Sequence, residues 1–386
     1  MQVKNPKITF IDFFCGAGGL SLGLEANGFK LLLANDNDPA SIKTFIKNRP
    51  GLKTNSVILG DIRDLSGYIN QLSEERVIDL VVGGPPCQGF SMANRQRLID
   101  DPRNSLYKEF VKATSKLQPK AFLMENVKGM LPMAKHVVED LEDVGYAVSY
   151  QLLNAKDYGI PQHRERLFYL GLRKKNFKNP YEVLKAIFEE IRLDKQPTKV
   201  PLRSAFWGLR KLVARTEKNR TEVDSEKSGM FRDKIFSNDR RDKTYIRKIN
   251  GGRIPNSVYN HKARYNNNRD LLIFKLLPQG GKSDHPDIAH IMPYNSRKGI
   301  FKDKFYKLVA GKPSKTITSH MKFDCHMYIH PFEPRGLTPR EAARIQSFPD
   351  SYVFHGPYTQ WYNQIGNAVP PLLASVVAKT LKKYLL

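Results

Sequence analysis

The sequence predicts an α/β fold: a doubly wound, mostly parallel sheet with a second, smaller, loop-rich domain. Three observations predict it. Short apolar runs alternate with helix-like segments over residues 8–172. Those runs end near Gly, Asp, Asn or Cys, as strands do where they hand over to loops. After residue 172 the alternation dissolves into charged sequence rich in Asn, Arg and Gly. Taken in order, residues 8–14, 30–34, 56–59, 78–82 and 121–124 read as buried strands. Helices are expected between them at 20–26, 39–48 and 106–117. Two further strands are expected at 146–152 and 166–172. Residues 174–179, 216–242 and 250–269 carry few apolar side chains and no helical or strand period. Order returns near Pro331, and 372–386 is apolar at helical spacing after Pro370 and Pro371. The expected division is therefore 1–171, 172–310 and a segment 311–386 that returns to complete the first domain.

The chain has 386 residues, of which 40% are hydrophobic. That supports a sizeable core, and no apolar run is long enough to span a bilayer. The run 8–14 is too short for a signal peptide and ends in glycines, so it reads as a strand. Three cysteines, Cys15, Cys87 and Cys325, exclude a disulfide framework, and without a CxxC or Cys/His cluster no metal site is expected. A reducing compartment follows. Lys and Arg number 63 against 38 Asp and Glu, a formal charge of +25. Residues 172–310 hold 33 Lys+Arg and 15 Asp+Glu, a surplus of +18, and the rest of the chain only +7. A generally basic surface would be spread evenly. This concentration points to a region that grips a polyanion, most often nucleic acid.

The first strand ends at Cys15 in a turn carrying Gly16, Ala17, Gly18 and Gly19. Such a turn lets backbone approach a ligand closely. A dinucleotide fingerprint would need glycine at position 21, where Ser21 stands, so another nucleoside cofactor is the better reading. Asp36 ends the second strand, placed to accept from ribose hydroxyls, and Asp61 ends the third, within reach of an adenine amine. Either acid alone would read as a surface turn residue. Three strand ends in succession favour a cofactor.

The strongest local signal is Gly83-Gly84-Pro85-Pro86-Cys87-Gln88-Gly89-Phe90-Ser91. Prolines stiffen the backbone before Cys87 and hold its thiol at the sheet's carboxyl edge. Buried inert cysteines are common, and Cys15 and Cys325 read as such. Cys87 instead sits among Gly, Pro and polar residues, the accessible setting a nucleophilic thiolate needs. Glu125 follows the strand 121–124 and can serve as acid or hydrogen-bond donor to a base edge. Arg164 and Arg166, two apart on an expected strand, would project to one face and hold a phosphate and a base carbonyl.

In this order and wording the motifs resemble those of DNA (cytosine-5) methyltransferases of the bacterial restriction-modification type. The matching blocks span 12–19, Asp36, Gly60-Asp61-Ile62, 84–91, Glu125-Asn126-Val127 and 162–166, then 335–350 and 364–371. The resemblance covers 8–171 and roughly 312–386. It implies S-adenosylmethionine (SAM) as methyl donor, double-stranded DNA as partner, and base flipping before chemistry. It makes 1–171 the catalytic SAM-binding domain and 172–310 the target-recognition domain. It assigns Cys87 to attack cytosine C6, Glu125 to N3, Arg166 to the cytosine O2 and Arg164 to a neighbouring phosphate. Phe14, Ala17, Gly18, Gly19, Asp36, Asp61, Ile62, Pro86, Leu106 and Asn367 would line the SAM site. Gln88, Ser91, Gln162 and Thr316 would contact the substrate. The resemblance further implies a monomer in the cytoplasm, associated with the nucleoid, that a separately acting cognate restriction endonuclease can accompany. A tRNA cytosine-5 methyltransferase on the same fold is the alternative. Its relatives carry a Pro-Pro-Cys-Gln-Pro-Phe-Thr type of loop and a Cys-Phe-Thr signature, whereas this chain has Gly89-Phe90-Ser91 and no Cys-Phe-Thr. A non-catalytic DNA-binding module would be expected to lose Cys87, Glu125 or an arginine, and an NAD oxidoreductase is disfavoured by Ser21.

Overall fold

The computed structural model describes residues 8–86, 105–215, 232–236, 238–292 and 304–386. The chain forms two compact units. One comprises Met1–Tyr158, Glu165–Gln196 and Val369–Leu386, the other Gly159–Arg164 and Pro197–Ala368.

The first unit is built on seven strands: β1 (Thr9–Phe13), β2 (Lys30–Asp36), β3 (Val57–Leu59), β4 (Leu80–Gly83), β5 (Ala121–Val127), β6 (Tyr146–Asn154) and β7 (Glu165–Arg173). Their order in the sheet is β3-β2-β1-β4-β5-β7-β6. The first five are parallel, and β7 runs antiparallel to both neighbours. Every expected strand is present. β1 pairs with both β2 and β4, so the order reverses beside β1, and the ends of β1 and β4 are adjacent. In open α/β sheets that edge is where ligands bind.

Helices α1 (Gly19–Glu25), α2 (Pro39–Lys47), α3 (Ser66–Glu75), α4 (Ser105–Leu117), α5 (Ala134–Asp143) and α6 (Pro180–Leu193) belong to this unit. α2 starts because Asp38 accepts from the N–H groups of Ala40 and Ser41, with Pro39 at the first helical position. The core joins Ile11 and Phe13 of β1, Val81 of β4, Phe122 and Met124 of β5, and Phe110 of α4. The Phe122 ring meets Phe110 and Tyr146 edge-on, and opposite it on β7 stands Gly171, where any side chain would overlap the ring. The C-terminal helix, Pro371–Leu385, returns to pack on α1. Gly23 of α1 allows the approach, because a Cβ there would sit 2.4 Å from Ala374 Cβ.

Two expectations need correction. Residues just beyond 172 are not loop-rich, because Pro180–Leu193 is a helix of the first unit. It buries Leu184, Ile187, Phe188 and Ile191, an apolar stripe that the charges on its other face obscured. Nor does the chain rejoin the first unit at 311. Residues 197–368 cluster as one unit, and only Val369–Leu386 returns.

The second unit has few regular elements. Among the described residues they are helices Thr244–Ile249, Asn268–Leu276, Pro339–Ile345 and Tyr358–Asn367, and a short ribbon pairing Asp233–Lys234 with Ser257–Val258. Buried ionic bonds supply much of its order. All seven residues of Pro339–Ile345 are buried, and Thr338 and Glu341 form a capping box. Arg344 pairs with Asp350 at 2.6 Å, both fully buried, and also donates to the carbonyls of Ala205 and Trp207. Arg335 grips Glu341 through two nitrogens at 2.8 and 2.6 Å. Among the described residues no helix is long and apolar enough to cross a membrane.

Candidate active site

The ends of β1, β2 and β3 are tied together by side chains from the strands themselves. Asp36 Oδ2 accepts from the N–H of Gly16 in the glycine turn, at 2.8 Å, and Oδ1 from that of Asp38, at 2.9 Å. Asn35 Nδ2 donates to the carbonyls of Ile58 and Gly60, at 3.1 and 2.9 Å. Burial raises the Asp36 carboxyl's pKa, while the two N–H groups oppose the rise. Asp61 caps the next turn and pairs with Arg63 at 2.6 Å, a bond that holds it below its usual value. Ile62 behind it is buried, and Phe14 and Leu106 pack half-buried against the core. Beneath the turn, Asp12 is buried and accepts from Ser21 at 2.5 Å. Burial lifts its carboxyl to about 7, against the pull of the Ser21 bond and the Arg49 charge.

The ends of β4 and β5 form the second half of the site. Glu125 and Arg166 are diagonal neighbours across the β5–β7 ladder, since Arg166 lies opposite Val127. Arg166 Nε meets Glu125 Oε1 at 2.9 Å, with both side chains largely buried. Burial lowers the Arg166 pKa, and Glu125 works against that. The other carboxylate oxygen of Glu125 would lie 3.2 Å from a Cβ on Gly84, so the carboxylate rests on the backbone that leads into Pro85-Pro86. Asn126 Nδ2 donates to the Pro85 carbonyl at 3.0 Å and fixes that backbone to β5. Cys87, Gln88 and Ser91 lie outside the described residues. The other two cysteines are buried, and burial pushes both thiols up, Cys325 to about 11, away from nucleophilic character.

In the second unit, three stretches that the sequence singled out converge. Gln162 accepts from the Ile317 N–H at 2.7 Å and donates to Gln346 at 2.8 Å. Thr316 donates to the His163 carbonyl at 2.7 Å. Arg164 donates to the carbonyls of Ile317, Gly366 and Ala368, at 2.7 to 3.0 Å.

The family model for C-5 cytosine-specific DNA methylases matches residues 8–383. The chain belongs to that family.

This methylase is 34% identical to the type II methyltransferase M.DdeI of Desulfomicrobium norvegicum, over 98% of this chain and 89% of that protein. It is 33% identical to M.FnuDI of Fusobacterium nucleatum, over 97% and 94%. Among solved structures it resembles one described as a DNA modification methyltransferase encoded within an E. coli prophage. That match has a TM-score of 0.73 and 26% identity, and covers 98% and 99% of the two chains.

The methylase departs from the sequence reading at Arg164. That residue precedes β7 and is fully buried, with its guanidinium among backbone carbonyls, so it has no surface for a phosphate. It clamps the backbone on either side of the exposed Asn367 instead. Gln162 is likewise buried scaffold. The stretch 259–270, within the basic region, is partly internal too. Asn260, His261 and Asn266 are buried, and Arg264 donates to the carbonyls of Met321, Lys322 and Phe323. Sequence reasoning missed Arg49, which reaches the glycine turn from below. Arg49 and Glu25 also border a groove of about 640 Å³ with Phe29, Leu31, Leu52 and Tyr68, and no sequence-predicted site residue lines it.

Proposed function

We propose that this methylase transfers a methyl group from SAM to C5 of a cytosine flipped out of a specific short duplex sequence, through a covalent bond from Cys87 to C6. The observation that carries the reading is the Glu125–Arg166 pair, set against Gly84, three residues before Cys87 in the sequence, and one strand away from β1.

The residues at the ends of β1 to β3 suit the donor. No heavy atom lies within 4 Å of where a Cβ would stand on Gly16 or Gly60, so the backbone there borders open space. Asp36 is anchored beside it by backbone N–H groups, and its carboxylate would accept from a ribose hydroxyl. Phe14, Ala17, Gly18, Gly19, Asp36, Asp61, Ile62, Pro86, Leu106 and Asn367 would hold the cofactor. When bound, SAM supplies an electrophilic methyl group on its sulfonium.

Cytosine C5 is a poor nucleophile. Addition of the Cys87 thiolate to C6 saturates the C5–C6 bond and leaves an enamine-like C5. Glu125 stabilises that species by hydrogen bonding or proton donation at N3, and Arg166 both orients Glu125 and donates to O2. After C5 has gained the methyl group, its proton leaves to a base and the C6–S bond breaks. Aromaticity and the thiolate are restored together. Thr316 would contact the flipped nucleotide's backbone. The setting is a type II restriction-modification system in the cytoplasm, with the enzyme acting as a monomer on nucleoid DNA, where a separately acting cognate endonuclease can accompany it.

A duplex with 5-fluorocytosine at the target tests this. Fluorine at C5 permits addition and methylation but cannot leave as a cation, so the adduct should survive denaturation. The expected result is a slow, DNA-linked band that needs SAM and is missing from Cys87→Ala. A band in the Cys87→Ala lane would mean that another nucleophile acts. No band in either lane, at a site located by bisulfite sequencing, would remove the covalent mechanism.

A further inference from the structure

Arg49 follows α2 directly after Asn48 and is 9% exposed. Its Nε donates to both carboxylate oxygens of Glu25 at 3.0 Å, Nη1 to the Phe45 carbonyl at 3.2 Å, and Nη2 to the Gly18 carbonyl at 3.3 Å. Cζ lies 3.8 Å above the Phe45 ring. Gly18 begins α1 in the left-handed region, at φ 82°, and Glu25 ends it, so one side chain ties both ends of α1 to α2. The packing leaves no slack. A Cβ on Gly18 would fall 2.8 Å from Nη1 and from Phe45 Cδ2, and 2.9 Å from Nη2. The glycine turn therefore rests on the stacked guanidinium and ring. Its upper side is fixed by Asp36 through the Gly16 N–H.

We propose that Arg49 is a positioning residue: acting through Gly18, it sets the height of the glycine turn and with it the affinity for SAM. The proposal rests on the reading of that turn as part of the SAM site. Only a planar fork can pair with Glu25, bond two carbonyls and lie flat on Phe45 at once. Lysine keeps the charge and can reach Glu25, but it loses the fork and the stack.

The test uses the full-length protein and three measurements: SAM titration by calorimetry, affinity for a duplex without SAM, and the midpoint of urea unfolding. Arg49→Lys is expected to weaken SAM binding about tenfold, roughly 1.4 kcal/mol. Its duplex affinity should stay close to wild type, which a general loosening of the unit would not allow. The unfolding midpoint will fall, because a buried stack and carbonyl bonds are lost, and it serves to show that the variant is folded where SAM is titrated. SAM affinity within twofold of wild type in the folded variant overturns the proposal. If Arg49→Lys does not fold, Phe45→Leu decides, because it removes the stacked ring while leaving the charge. A several-fold loss of SAM affinity supports the proposal, and an unchanged affinity overturns it. Wild-type protein that binds no SAM would overturn both this proposal and the reading of the turn, and would do so before any variant is compared.

Discussion

Glu125 and Arg166 hold each other by a charge-assisted bond with little water around it, so each sets where the other points. Glu125→Gln should keep the shape and lose the charge. Methyl transfer is expected to fall on the order of 10²-fold or more, as for other lost acid or charge-stabilising groups. SAM affinity should change little. Single-turnover methylation beside calorimetry separates the two, and retained chemistry with collapsed SAM affinity would move Glu125 into the cofactor site. Asp12 gives a pH prediction. Its carboxyl sits at about 7 in the fold, chiefly through burial, against an ordinary value of 3.8. Between those values the folded chain holds a proton that the unfolded chain has released, so this group's contribution to stability falls as pH rises from about 4 to 7. Asp12→Asn should flatten that decline, by up to about 1.4 kcal/mol per pH unit. Urea midpoints measured across the range check it, and identical slopes in the two proteins would show that Asp12 does not titrate there. That the glycine turn, Asp36 and Asp61 stand at or just beyond strand ends was legible in the sequence, because strand ends announce themselves. The roles of Arg164 and Gln162 were not, because spacing says nothing of burial. An arginine two residues from another looks the same whether it faces a phosphate or three carbonyls.

Most strands of the sheet could be read because their apolar runs are continuous and bounded; β6 is broken by Ser149 and Gln151. The missed helices failed for different reasons. α3 has only Ile69 and Leu72 buried, too few for a period to show. α6 shows the full period, but in a stretch whose net charge suggested loops. In the block 335–350, Arg335, Arg340 and Arg344 are buried, a state that sequence cannot signal. The packing of α1 on the C-terminal helix rests on Gly23. Gly23→Ala puts a methyl group into Ala374 and the Ser375 backbone, and should destabilise the protein by about 1–3 kcal/mol, the usual range for overpacking. Unfolding curves measure it. An unchanged midpoint would mean that the two helices can part without loss.

The whole chain carries +25, and +18 of that lies in residues 172–310. Affinity for any duplex should therefore fall steeply with salt. Each Lys or Arg whose removal deletes a phosphate contact should flatten the log–log slope by about 0.9. Substitutions that touch base edges should instead weaken only the cognate site, by about 1–3 kcal/mol each. Filter binding over a salt series with two duplexes distinguishes the classes. If no substitution in the region changes sequence preference, the bases are read elsewhere. The return of residues 371–385 to α1 also bears on synthesis. All seven strands have left the ribosome long before the helix that covers α1 is made. At about 5–20 residues per second the interval is on the order of tens of seconds. Through it the nascent chain holds its glycine turn on a helix with one face bare, so a truncated message yields a sheet that looks finished but lacks its last brace. Completion of the first unit is thus timed by the synthesis of residues 371–385.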